Sequence, residues 1–258
     1  MAPELTSSST SRCRPPTCPC PQADLPGTYL AGRAANTPAR SFLFNLGGWQ
    51  ATGFSPEIVL HVGRDGRLVT QPLAGTRKLG GDHEENARLR RELLCDSKEV
   101  HEHAVSVRLA CEELGAVCDA GSVVVEDFMS VKERGSVQHL ASQVAGRLRN
   151  DLCSWQAFGV LFPAVTATGA PKSAALAALL RHEEGPRGLY GGAILAVDAD
   201  GDLDAALVLR SVLRRADRTW LRAGAGITRH SVPEREYEET CEKLRSVAPY
   251  LIEDNASA

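Results

Sequence analysis

No run of about 18 apolar residues occurs anywhere in this 258-residue chain, so a membrane-spanning helix is not expected. The N-terminus has no apolar core of the kind that marks a secretory signal. A surplus of positive charge is missing too. The 29 Lys and Arg against 32 Asp and Glu leave a net charge of −3, which gives no electrostatic footprint for nucleic acid. Cysteine pairs with metal-site spacing are also lacking: Cys13, Cys18 and Cys20 lie close together, but no second knuckle matches them. Cys95, Cys111, Cys118, Cys153 and Cys241 are scattered through periodic segments, as expected for reduced thiols of a cytoplasmic protein. No internal repeat is visible. What remains is a chain with 43% hydrophobic residues, enough for one substantial core.

The pattern divides that chain unevenly. Residues 1–27 are rich in Ser, Pro and Cys, show neither helical nor strand period, and read as an irregular tail. Residues 28–252 read as one globular domain and 253–258 as a short C-terminal tail. SFLFNLGG, EIVLHVG and RLVTQPL have strand character, with the turn RDGR between the last two. Residues 81–95 are charged and fit a loop or a short helix. Ser97 is placed to cap a helix running to about Val117, with Val100, Ala104, Val107 and Leu114 on or near its apolar face. Strands are expected near SVVVEDFMSV, SVQHLASQVAGRL, GGAILAVDA, LDAALVLRSVL and TWLRAGAG. Helices are expected near Ser154–Leu161, near Pro171–His182 and from Pro233 onward.

Several residues carry chemistry. On the last helix Glu236 and Glu239 share a face, with Lys243 one turn beyond. Glu234, Glu238 and Glu242 surround them, so a solvated acidic helix is one reading. The other comes from a second pair, Glu99 and Glu102, near the start of the Ser97 helix. Two helices each presenting Glu-x-x-Glu could converge on Mg2+, which takes oxygen ligands and keeps several waters. Glu57 sits just before a strand, where rigid backbone would anchor its carboxylate. Gly75 and Thr76 read as a tight turn suited to close contact with a ligand. His139 falls in a strand, where a histidine is readily structural. Pro171 suits the first turn of a helix, which places Thr166 in a loop at the positive end of that helix's dipole, a seat for a carboxylate. Arg210 closes an apolar strand and could clamp a carboxylate at two points. Together these residues describe a site for a small polycarboxylate with Mg2+.

The runs VEDFMSVKERGSVQHLAS, LFPAVTATGAPK, PRGLYGGAILAVDADGDLDAALVLR and RAGAGITRHSVPEREYEETCEKL resemble the chorismate-utilising enzymes. That family includes anthranilate, isochorismate, aminodeoxychorismate and salicylate synthases. ERGSVQHL, FPAVTATG and EREYEETCEKL are most similar to the salicylate synthases of siderophore pathways. The resemblance spans about Asn36 to Leu251. It implies an α+β fold of two antiparallel sheets surrounded by helices, N-terminally incomplete here. The implied reaction is Mg2+-dependent conversion of chorismate to isochorismate, followed by elimination of pyruvate to leave salicylate. It also implies roles at matching positions. Glu99, Glu102, Glu236 and Glu239 would form the Mg2+ shell. Gly75, Thr76, Thr166, Tyr190, Leu209, Arg210, Gly224 and Lys243 would line the chorismate pocket. His139 would sit beside the reacting ring, and Glu57 would protonate the departing C4 hydroxyl.

One departure stands out. Members of the family carry a further N-terminal region ending in a strand whose lysine activates the attacking water. TSSSTSRC occupies that place here, and the first lysine of the chain is Lys78. A shifted, truncated or mis-started reading frame is the expectation, or else a separate N-terminal chain that completes the site. Isochorismate synthase and anthranilate synthase component I are the alternatives within the enzyme class. A chorismate-binding domain without turnover is the alternative outside it.

Overall fold

Local chemistry sets the first elements. The computed structural model describes residues 5–9 and 23–254. Strand β1 spans Leu5–Ser9 and helix α1 spans Leu25–Ala35. Both lie partly or wholly in the segment whose composition reads as an irregular tail, and they correct that reading. Pro26 does not break α1 because it falls in the first turn, where its missing N–H costs nothing. The Asp24 carboxylate caps the helix by accepting from Gly27 N at 3.1 Å.

Five strands follow: β2 (Arg40–Leu46), β3 (Trp49–Ser55), β4 (Ile58–Val62), β5 (Arg67–Thr70) and β6 (Leu73–Lys78). The charged stretch at 81–95 resolves as helix α2 (His83–Cys95), capped by Asp82, which accepts from Glu85 N. Helix α3 (Ser97–Val117) has the predicted extent. Its cap, however, is Asp96 rather than Ser97: the Asp96 carboxylate accepts from the backbone N–H of Lys98 and Glu99. The long hairpin β7 (Val124–Arg134) and β8 (Val137–Arg147) leads to α4 (Ser154–Leu161), the short α5 (Val165–Thr168) and α6 (Lys172–His182). Strands β9 (Ala193–Val197), β10 (Leu203–Leu207), β11 (Ser211–Arg215), β12 (Arg218–Leu221) and β13 (Ala225–Thr228) precede the last helix, α7 (Pro233–Leu244).

All the strand pairings are antiparallel and form two main sheets. The larger has the order β6-β8-β5-β4-β10-β9, with β7 also paired to β8. The smaller has the order β12-β11-β3-β2. This is the expected α+β architecture. A third, two-stranded pairing joins β1 to β13, with Ser8 opposite Gly226 and Ser9 opposite Ala225.

Two segments that look like single strands are each divided between sheets. LDAALVLRSVL ends one strand in the larger sheet and begins another in the smaller, with Val208–Arg210 as the crossing. TWLRAGAG likewise separates into β12 and β13. The PLAGT segment is not a turn. It lies within β6, whose register with β8 shifts between Ala74 and Thr76. Gly75 makes this bulge at φ +82°, a conformation that L side chains rarely adopt.

The principal core packs α3 and α4 on the larger sheet, with Leu60, Leu68, Leu114, Val144, Leu203 and Leu207 buried in it. Smaller clusters around Phe54 and Val212, and around Phe42 and Leu213, cover the second sheet. Among the described residues no helix is long and apolar enough to cross a membrane.

Candidate active site

The crossing between the sheets opens a cleft of about 690 Å3 of empty space. β6, β8 and the residues just before β4 supply one wall and the crossing after β10 another. The segment from Arg222 through Gly226 and helix α7 close it. Of the residues singled out from sequence, Glu57, Gly75, Thr76, Glu102, His139 and Thr166 line this space. So do Tyr190, Leu209, Arg210, Gly224, Glu239 and Lys243. Residues 57 to 243 are thus gathered into one cavity by the fold.

Glu57, one residue before β4, is buried. Burial pushes its carboxyl up to about 8, although a hydrogen bond from Thr166 and the charge of Lys243 oppose the shift. The Thr166 hydroxyl donates to Glu57 Oε1 at 2.7 Å. Thr166 therefore sits in α5 and serves this carboxyl, rather than lying in an open loop before α6. At neutral pH Glu57 is a protonated acid facing the cleft.

Arg210 occupies the crossing with φ +50°, a left-handed conformation that costs a non-glycine residue about 1–3 kcal/mol. It is buried. Its guanidinium donates to Ser246 Oγ at 3.0 Å and to His139 Nε2 at 2.9 Å. His139 Nδ1 lies 3.2 Å from the Gly75 carbonyl and 3.1 Å from Thr76 Oγ1. A carbonyl only accepts, so Nδ1 carries the proton and Nε2 receives the Arg210 N–H. Burial first, then the charges of Arg210 and Lys243, hold the imidazole well below its usual pKa and therefore neutral. His139 thus orients Arg210. Burial also lowers Arg210 to about 10, which leaves it charged at neutral pH. Tyr190 is buried on the same cleft, with Arg222 stacked 5.5 Å from its ring centre. Arg210, Arg222, Lys243 and the Tyr190 hydroxyl suit an anionic ligand.

The four predicted carboxylates come together where α3 meets α7. Glu102 and Glu239 line the cleft. Glu99 and Glu236 adjoin them through Lys98, whose Nζ lies 3.3 Å from Glu99 Oε1, 3.4 Å from Glu102 Oε2 and 3.1 Å from Glu236 Oε1. Lys243 Nζ holds Glu239 Oε1 at 2.6 Å and donates to the Gly224 carbonyl at 3.0 Å. α7 is therefore not a solvated acidic helix. Glu236, Glu239 and Glu242 are buried, Glu242 pairing with Arg235 at 3.0 Å, while Glu234 and Glu238 face solvent. Glu102 is raised to about 7 by burial, with Glu239 and Glu99 adding to the shift and Lys98 opposing it. Glu99 is raised by burial and by Glu239. Glu239 is lowered: burial works against its charge, but Lys243 and Lys98 outweigh that. Burial also disfavours the Lys98 ammonium, yet Glu102, Glu99, Glu239 and Glu236 together hold its pKa above the usual value.

Glycine makes room at two places. A Cβ on Gly75 would lie 3.2 Å from Glu99 Cβ, and one on Gly226 would lie 2.5 Å from Glu102 Oε1. Both sit where backbone must approach these carboxylates.

As the side chains stand, no three His, Cys, Asp or Glu among the described residues are arranged to hold a metal ion. The donors nevertheless fit a hard divalent cation. All are carboxylate oxygens, and Glu236 Oε2 and Glu239 Oε2 are buried with no hydrogen-bond partner. Lys98, Arg222 and Ser246 were not found by sequence reasoning. Only Lys98 had a legible signal: it precedes Glu99 and lies one helical turn from Glu102.

A family profile described as chorismate binding enzyme matches residues 10–249. The chain is 55% identical over 229 residues to a salicylate synthase of Mycolicibacterium paratuberculosis, covering 89% of this chain and 51% of that protein. The crystal structure of anthranilate synthase component I from Streptococcus pneumoniae superposes with a TM-score of 0.76 at 34% identity, covering 85% of this chain and 48% of the other. The menaquinone-specific isochorismate synthase of Escherichia coli gives a TM-score of 0.77 at 27% identity, with coverage of 88% and 53%. The chain spans about half the length of the curated relatives it matches.

Proposed function

The chain belongs to the chorismate binding enzyme family, and on that footing we propose that it is a salicylate synthase-type enzyme. It converts chorismate through isochorismate to salicylate and pyruvate. The observation that carries this reading is Glu57: a buried carboxyl, protonated at neutral pH, shares a cleft with Arg210, Tyr190 and Lys243. A group with a pKa near the working pH is the efficient donor for a hydroxyl that must leave as water. Glu57 gives its proton to the C4 hydroxyl of the ring, which leaves as water, while a second water adds to the ring and releases its own proton to solvent. Thr166 holds Oε1 and so directs the acid. Arg210, oriented by neutral His139 and by Ser246, receives a substrate carboxylate. In the second stage the ring–oxygen bond to the enolpyruvyl group breaks, a ring hydrogen moves to that group, and the ring becomes aromatic.

Glu99, Glu102, Glu236 and Glu239 would hold Mg2+, whose charge would offset that of a substrate carboxylate. The two orphaned carboxylate oxygens on α7 support this assignment.

Chorismate supplied with Mg2+ should yield salicylate, followed by its fluorescence and identified by chromatography. Isochorismate alone would limit the reaction to its first stage. Anthranilate formed with ammonia would move the chain to the other branch. Absence of any product, with chorismate still bound, would leave binding without turnover. That second reading has an observation of its own: β1, beside β13 at the cleft, has the sequence LTSSS and contains no lysine to activate water.

A further inference from the structure

One cation is already inside the carboxylate cluster. Lys98 Nζ contacts Glu236, Glu99 and Glu102 at 3.1, 3.3 and 3.4 Å. An ammonium has three N–H donors, and here it faces three carboxylates from two helices. Its position on α3 is otherwise unfavourable, because a positive side chain in the first helical turn opposes the helix dipole. The carboxylates hold it there.

A second observation concerns the outer side of Lys98. It also borders a separate cleft between the start of α3 and the turn after β13, lined by Asp96, His101, Thr228, Arg229 and His230. A long flexible side chain can rotate between the two spaces. The Asp96 carboxylate, already paired with Arg77 at 2.5 Å, faces that cleft together with the basic groups of Arg229 and His230. Charge favours the exchange. Four glutamates now meet Lys98 and Lys243, with Arg77 shared between Glu99 and Asp96. Replacing Lys98 with a divalent ion adds one positive charge beside these carboxylates.

We propose that Lys98 is a tethered counter-cation that stands in for the divalent ion in the metal-free protein and yields its place by turning into the neighbouring cleft. Metal affinity is then set by competition with a residue of the chain. This rests on the four carboxylates being the metal shell.

Mg2+ titration calorimetry on wild type and Lys98→Met tests it. The variant should bind Mg2+ about tenfold more tightly or better, the factor by which a resting state populated nine times in ten weakens apparent affinity. It should also melt at lower temperature than wild type without metal and gain more on adding Mg2+. Equal or weaker Mg2+ binding by a folded Lys98→Met overturns the proposal while leaving the metal shell standing. Failure of both proteins to bind Mg2+ overturns the shell and the proposal together. Wild type provides an independent readout if the variant does not fold. Acetylation of Lys98 by a water-soluble amine reagent, followed by mass spectrometry, should rise when Mg2+ is added. Unchanged or reduced labelling in protein that binds Mg2+ rules out the displacement.

Discussion

Replacing Glu57 with Gln offers the sharpest test of the proposed acid. The change keeps the volume and an oxygen able to accept from Thr166, but removes the titrating group. In the folded protein the carboxyl is raised from 4.5 to about 8. A raised folded-state pKa means that the folded protein binds the proton more tightly than the unfolded chain does. The stability linked to Glu57 is therefore complete below about pH 4.5 and is lost as pH rises through about 8. Integrating between about pH 5 and about pH 8 gives a loss of about 3.5 kcal/mol in wild type, from 1.36 kcal/mol per pKa unit. For a chain of this length that corresponds to about 7–14 °C in melting temperature. Urea unfolding followed by tryptophan fluorescence at several pH values should show wild type falling more steeply than Glu57→Gln by this amount. The product yield of wild type should also fall above about pH 8, as the acid loses its proton. Parallel stability profiles for the two proteins would show that Glu57 is ionised when folded, and the assignment of the acid would fail.

Glu239→Gln should weaken Mg2+ binding, because it removes charge from a buried oxygen pair of which one atom has no partner; calorimetry showing unchanged affinity would remove Glu239 from the shell. Arg210→Ala should cost about 2–5 kcal/mol of chorismate binding, the usual loss when one partner of a buried charge pair is truncated, and fluorescence titration checks it. Gly75→Ala should destabilise the protein by about 1–3 kcal/mol, since the positive φ is strained for alanine and the new methyl meets Glu99; an unchanged denaturation midpoint would show that β6 does not need its bulge.

Sequence pattern was most reliable where one local rule acted alone. α4 and α7 appear at the predicted places because helical spacing and proline position act within a turn or two. The Glu-x-x-Glu pairs were legible for the same reason: i and i+3 share a helix face whatever surrounds the helix. β3 was missed because its GWQATGFS segment contains two glycines and no clean alternation, yet it pairs with both β2 and β11. Cap identity at α3 moved by one residue, within the ordinary uncertainty of a helix start.

By itself, then, the sequence determined the family, the α+β class and the types of residue that form the site, because motifs and periodicities are properties of neighbours along the chain. Tertiary structure decided what those residues do. It divided two apolar runs between sheets and turned Arg210 into the cleft. It buried Glu57 deeply enough to keep its proton and made His139 a neutral support for Arg210. It also placed Lys98 among carboxylates from two helices distant in sequence. Burial and charge proximity depend on which segments meet in space, and a one-dimensional pattern does not specify that.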